Sequence, residues 1–184
     1  LGYAGDTFNT LWTLRALVDA DQPTDYVSAF GDDPFSEQQI AFFKESGIGT
    51  ASSQRLKGAR PGIYAITLSG AERSFTYWRN DAAARQLASD PAALAASLEG
   101  RALVYFSGVT LAILDPDARA ALISALSTAR SAGSLVAFDP NYRPRLWHSS
   151  EAARQAFDEA LPVADIALPT FPDEELLYGD RDLQ

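Results

Sequence analysis

Residues 115–147 read "DPDARAALISALSTARSAGSLVAFDPNYRPRLW", a helix, a turn, a strand and a polar loop in succession. Asp115 stands where an N-cap accepts free backbone amides, Pro116 suits a first helical turn, and Gly133 suits the helix end. Ala118, Leu122, Ala125 and Ala129 recur along one helical face. "SLVAF" (134–138) then reads as a buried strand. Past its end come Asp139, Asn141, Arg143 and Arg145, broken by Pro144 and closed by Trp147. A strand that opens into amide and guanidinium groups in an acidic chain asks what anion they meet.

The same grammar extends on both sides. "ALVYFSG" (102–108) is a strand before the helix; "SSEAARQAFDEAL" (149–161), "DIALP" (165–169) and "PDEELLYG" (172–179) read as helix, strand and helix after it. This alternation predicts a mostly parallel central sheet covered by helices, an α/β fold. Upstream, "NTLWTLRALVDA" (9–20) puts Leu11, Leu14, Leu17 and Val18 on one helical face. "DYVSAF" (25–30) is a short strand that ends in the turn cluster "GDDP", and "SEQQIAFFKES" (36–46) is a helix with Ser36 as N-cap and Gly47 as terminator. Pro91 opens another short helix in an Ala-rich stretch. Residues 60–80 break the pattern. "GIYAITL", "SGAE" and "RSFTYW" form two strands around a Gly-containing turn, a hairpin that reads as a small lid or an edge extension.

Bulk properties narrow the chemistry. The chain has 184 residues, 47% hydrophobic and 21% charged, the balance of a soluble globular domain. No apolar run approaches the ~20 residues of a membrane-spanning helix. No basic-then-apolar leader is visible, so the expectation is a cytoplasmic protein without a membrane partner. It has no Cys and one His, His148, which removes thiolate metal sites and any mechanism needing two histidines. A net charge of −9 argues against a nucleic-acid partner, since that binding relies on neutralising phosphates. The chain also lacks Met, begins "LGYAG" and ends "GDRDLQ", and it reads as a piece of a longer protein.

In open α/β sheets, ligands sit beyond the carboxyl ends of the strands. "FSGVT" (106–110), "FDPNYRPRLW" (138–147) and "LPTFPDEE" (168–175) lie at those ends. Their hydroxyls, guanidinium groups and carboxylates suit a phosphorylated or carboxylated ligand with a divalent cation. The plainer alternative makes Arg145 and Asp139 surface ion pairs and Trp147 a packing residue. In the hairpin, alternation puts Phe75, Tyr77 and Arg79 on one face with Tyr64 able to join them, and Trp78 on the other. That face would suit a carboxylated, hydroxylated small molecule, or be an ordinary half-exposed hairpin. "GYAGDTFN" (2–9) opens a helix; its glycines let a ligand approach the free amides, and Asp6 and Asn9 can bond sugar hydroxyls. It matches neither G-x-G-x-x-G nor a P-loop, so a Rossmann dehydrogenase is set aside.

These stretches in this order, "GYAGDTFNTLWTLRAL", "FGDDPFSEQQIAFFKESGI", the hairpin, "FDPNYRPRLW" and "LPTFPDEELLYG", resemble the ribokinase-like (PfkB) carbohydrate kinases over essentially the whole chain. "PGIYAITLSGAERSFTYWR" with "FSGVTLAIL" looks most like the branch that phosphorylates 2-keto-3-deoxygluconate to its 6-phosphate. The resemblance implies ATP and Mg2+ as cofactors, a sugar acid as substrate, and a β-lid closing over it. It implies that Gly5, Asp6 and Asn9 bind sugar hydroxyls, and that Tyr64, Tyr77 and Arg79 reach the substrate with Arg79 beside its carboxylate. Asn141, Tyr142 and Arg143 would lie between nucleotide phosphates and sugar acid. The family's Asn-x-x-Glu motif falls on Thr170 and Asp173, with Thr in place of Asn and Asp in place of Glu. No "GAGD", the family's anion hole and catalytic Asp, occurs in the sequence. The general base is therefore expected beyond Gln184, with the nucleotide-base site, and the first strand before Leu1. The exposed lid edges predict a homo-oligomer. A neutral-sugar kinase and a sugar-binding homologue without catalysis are the alternatives.

Overall fold

Asp33 opens the best-capped helix of the N-terminal half. Its carboxylate accepts the amides of Phe35 at 2.8 Å and Ser36 at 3.3 Å. The structure, a computed structural model, describes residues 2–70 and 72–182. These sort into two compact units: residues 1–4 with 8–87, and residues 5–7 with 88–184. Each is described by itself.

The first unit holds most of α1 (Asp6–Leu17), then β1 (Ala29–Phe30), α2 (Pro34–Glu45), β2 (Gln54–Arg55), β3 (Ile63–Ser69) and β4 (Glu72–Trp78). β1 and β2 pair in parallel, and β3 and β4 form an antiparallel hairpin with Tyr64 opposite Tyr77 and Ile66 opposite Phe75. The core is aromatic: Phe8, Phe30, Phe43 and Ile48 are buried, and the rings of Phe8 and Phe43 stack 4.2 Å apart. Each such ring removes enough apolar surface from water to stabilise the fold by about 1.5–3 kcal/mol.

Three expectations shift here. Helix α1 ends at Leu17, which is 79% exposed, and its buried residue is Phe8. Arg15 donates to the carbonyls of Val18, Asp19 and Gln22 just past its end, and Val18 keeps one helical bond, to the Leu14 carbonyl at 3.1 Å. The strand at 25–30 shrinks to Ala29–Phe30, preceded by a single bridge from Asp25 to Gly49. Ser36 is not the N-cap of α2. It is fully buried one turn in, where Oγ donates to Asp33 Oδ2 at 2.6 Å and accepts the Gly31 amide at 3.1 Å.

In the second unit, β5 (Leu103–Ser107), β6 (Leu135–Asp139) and β7 (Ile166–Ala167) lie parallel in that order, with Leu103 beside Leu135 and Ser107 beside Asp139. Around them run α3 (Pro91–Leu98), α4 (Gly108–Ile113), α5 (Pro116–Ser131), α6 (Ser150–Ala160) and α7 (Phe171–Tyr178). Asp115 caps α5 through the Ala118 amide at 2.8 Å, as its spacing predicts. The helix buries Leu122, Ala125, Leu126 and Ala129, while Ala118 stays half-buried. Val104, Phe106, Val136 and Phe138 make one sheet face, which α6 meets with Phe157, 5.5 Å from the Phe138 ring and edge-on to it. The connection from β5 into α4 passes very close to the loop after β6. A Cβ on Gly108 would sit 1.9 Å from the Pro140 carbonyl oxygen and 2.8 Å from Phe157 Cζ, so only glycine fits.

Candidate active site

The polar groups of the second unit gather at the carboxyl ends of β5 and β6, on the sheet face opposite the phenylalanines. Strand alternation puts Tyr105 and Ser107 of β5 beside Asp139 of β6 there. The Tyr105 hydroxyl donates to Asp139 Oδ2 at 2.9 Å, and the Asn141 amide nitrogen donates to Asp139 Oδ1 at 3.0 Å. This second bond is an Asx turn, which bends the chain back directly after the strand. Asn141 takes the bend at φ 35°, the one positive φ outside glycine among the described residues. Its side-chain amide donates to Asp6 Oδ1, and the Ser107 hydroxyl donates to Asp6 Oδ2.

Burial pushes the Asp6 carboxyl above its ordinary value. The Ser107 bond opposes that, the Asp139 charge adds to it, and Asn141 and Arg143 oppose it. The net direction is upward because a charge away from water is disfavoured more than its two hydrogen bonds favour it.

Arg143 follows, half-exposed. One guanidinium nitrogen donates to the Tyr142 carbonyl at 2.8 Å and lies 3.4 Å from Asp173 Oδ1. Asp173 sits in the first turn of α7, where Thr170 is the N-cap residue without a side-chain cap bond. Of the residues expected to meet nucleotide phosphates, Arg143 and Asp173 thus meet, while Asn141, two residues before Arg143, bonds to Asp6 and Asp139. The Tyr142 side chain points elsewhere: it is buried, 6.4 Å edge-on to Phe157, and offers only its backbone. Trp147 also packs on Phe157, at 5.7 Å, and the Arg119 guanidinium lies over the Trp147 ring at 5.6 Å. The loop is therefore anchored at both ends.

Beside it, a cleft of 390 Å³ lies between Phe138, Pro140, Phe157 and Glu174. Burial and the charges of Asp180 and Asp173 push the Glu174 carboxyl up. An acidic rim of this kind repels phosphate.

The hairpin of the first unit carries the other expected residues. Tyr64, Phe75 and Tyr77 share a face, with the Tyr64 and Tyr77 rings 5.9 Å apart and Phe75 stacked 6.1 Å from Tyr77. The Arg79 guanidinium lies 4.1 Å from the Tyr77 ring centroid. Both tyrosines are exposed, as is Trp78, at 60%. The cation lies on a ring face, and among the described residues no carboxylate stands within ion-pair distance of it. Asn9 is exposed, one turn on from Asp6 in α1.

Sequence reasoning missed Ser107 and Asp139 as members of the polar network, and Gly108 as the contact beneath it. The residue types were visible in "FSGVT" and "FDPN". Their side-by-side placement depends on a strand register that spans 32 residues.

Residues 1–183 match the pfkB family of carbohydrate kinases. A 2-dehydro-3-deoxygluconokinase of Dickeya dadantii is 43% identical over 97% of the chain and 59% of its own length. One of Escherichia coli K12 is 41% identical over 100% of the chain and 60% of its own length. The chain thus spans about three-fifths of the length of these relatives. Among solved structures, a fructokinase of Xylella fastidiosa with bound ATP superposes with a TM-score of 0.82 at 24% identity, over 97% of this chain and 55% of that one. With an α/β fold, a parallel sheet ending in this polar cluster and a family match over nearly every residue, this chain belongs to the pfkB family of carbohydrate kinases.

Proposed function

We propose that the whole protein transfers the terminal phosphoryl group of ATP to a sugar acid, 2-dehydro-3-deoxygluconate, giving its 6-phosphate. The observation that carries the choice of an acid over a neutral sugar is Arg79. Its guanidinium lies on Tyr77, uncancelled by any carboxylate within ion-pair distance in the described residues, on a face shared with Tyr64. A carboxylate meeting that fork gains paired, charge-assisted hydrogen bonds, while the tyrosine hydroxyls suit the polyol part. The two relatives at 41% and 43% identity carry the name of a kinase for that acid.

Gly5 and Asn9 serve sugar hydroxyls. Arg143, with Asn141, takes the phosphoryl group in flight, where positive charge and alignment carry most of the catalysis. Arg143 fits this task because its ion pair with Asp173 is long, at 3.4 Å, and its side chain is 54% exposed. Thr170 and Asp173 frame the nucleotide side. Mg2+ bound with the nucleotide would supply charge neutralisation between its phosphates. The general base is expected in the part of the relatives' length that this chain does not span. An enzyme that consumes ATP belongs in the cytoplasm. A second copy of the chain covers the hairpin, whose outer edges pair with no other strand among the described residues; a monomer in sedimentation equilibrium would refute that.

The test is a panel of sugar acids and neutral sugars with ADP release as readout. Replacing Arg79 by Ala should weaken the acid by about tenfold to a hundredfold, the worth of a charge-assisted bond, and leave a neutral analogue nearly unchanged. Equal losses for both would remove the carboxylate role.

A further inference from the structure

We infer that Asp6 is a positioning residue: its carboxylate fastens the end of β5 to the turn after β6 and so sets the direction in which Arg143 leaves the sheet. What Arg143 meets there rests on the kinase reading above; the fastening does not.

Each Asp6 oxygen has its own partner, Ser107 on one and Asn141 on the other, 101 and 135 residues away in the chain. Both partners are themselves fixed. Ser107 is wholly buried in β5, beside Asp139 of β6. Asn141 is held at its backbone by Asp139, so the side-chain bond to Asp6 is its second tie. Two ties account for a left-handed residue that is not glycine. Asn is among the few side chains that tolerate φ above zero, and it persists there when neighbours hold it. Release of one tie frees the bend, and Arg143 is two residues downstream. Neither Tyr142, buried against Phe157, nor the Pro140 carbonyl, pressed on Gly108, redirects the chain without disturbing the core. The bend at Asn141 is therefore the joint, and Asp6 is what locks it. A carboxylate spent in this way is not first of all a ligand for sugar hydroxyls.

The test uses the full-length protein and four variants: Asp6→Ala, Asp6→Asn, Arg143→Ala, and Asp6→Ala with Arg143→Ala. Asn at position 6 can accept from Asn141 and donate to the Ser107 hydroxyl, which turns to receive it, so both ties survive without the charge. Phosphoryl transfer from ATP to 2-dehydro-3-deoxygluconate is the readout. Asp6→Ala should lower kcat by about tenfold or more, Asp6→Asn should recover most of it, and Asp6→Ala should add nothing to Arg143→Ala. Losses that multiply, an Asn variant as poor as the Ala variant, or a change confined to KM for the sugar would each overturn the inference. If Asp6→Ala does not fold, Ser107→Ala, which removes the hold of β5 on the Asp6 carboxylate, takes its place: it should lower kcat and add nothing to Arg143→Ala. If the wild-type protein transfers no phosphoryl group, the kinase reading falls. Amide exchange at Asn141 and Arg143 then decides: about tenfold faster in Asp6→Ala and restored in Asp6→Asn upholds the fastening, and unchanged exchange overturns it.

Discussion

Gly108 is the point at which one methyl group tests the geometry of the site. It is the first residue of α4, where Ala would ordinarily favour the helix by about 1 kcal/mol. Two contacts oppose this. A Cβ at 1.9 Å from the Pro140 carbonyl oxygen needs more than an ångström of relief, and the Phe157 ring at 2.8 Å blocks the other side. Phe157 cannot yield easily, being 1% exposed and flanked by Phe138 and Trp147. Overpacking of this kind costs about 1–3 kcal/mol, and a rigid carbonyl belongs at the upper end. The net for Gly108→Ala is a destabilisation of about 2 kcal/mol, roughly a thirtyfold change in the folding equilibrium. Urea denaturation of the full-length protein measures it, with Gly100→Ala as control. Gly100 has φ 67° and open space around it, so Ala there carries only backbone strain of about 1 kcal/mol. The relief at Gly108 must also move Pro140, and with it Asn141 and Arg143, so turnover should fall along with stability. A Gly108→Ala protein as stable as wild type, or less affected than Gly100→Ala, would refute the close approach.

Other expectations follow from the same contacts. Phe43→Ala removes the ring that stacks on Phe8 and meets Tyr26 edge-on at 5.2 Å, and should cost about 3–5 kcal/mol by denaturation. Burial pushes the Asp33 carboxyl up, but the Ser36 hydroxyl and the Phe35 and Ser36 amides outweigh it, so its folded value lies below the ordinary 3.8. The stability it adds is fully present above about pH 3.8 and is lost as pH falls through that lower value. Asp33→Asn should therefore lower the melting temperature at neutral pH and narrow the gap to wild type near pH 2. Asp6 has the opposite sign. Its folded value is raised, so ionisation penalises the folded state as pH climbs from 3.8 through that value, and Asp6→Asn should flatten this part of the stability profile.

Much of the fold is legible in local chemistry. Asp115, Pro116 and Gly133 bound α5 as their backbone preferences dictate, and the Tyr64–Tyr77 pair follows from counting twos along a hairpin. Strand and helix alternation after residue 101 announces the parallel sheet, because each apolar strand needs a helix to cover it. The early end of α1 was not legible. Leu17 and Val18 keep the helical spacing, yet Arg15 folds back on three carbonyls beyond it. The choice of Asp33 over Ser36 as cap was equally hidden, since both residue types cap and only burial of Ser36 separates them.

The candidate site divides along the same line. Arg79, Asn141, Arg143 and Asp173 are named by their residue types in loops and strand ends, where guanidinium, amide and carboxylate groups have few structural duties. The chain's own order marks them as candidates, Asp173 through the family motif it falls on, because composition and spacing are local quantities. That Asp6 grips Ser107 and Asn141, that Tyr105 reaches Asp139, and that Gly108 lies under Pro140 are matters of register and close packing between segments over a hundred residues or a few dozen apart. Only the folded chain decides them, since a hydrogen bond depends on tenths of an ångström that no local preference specifies.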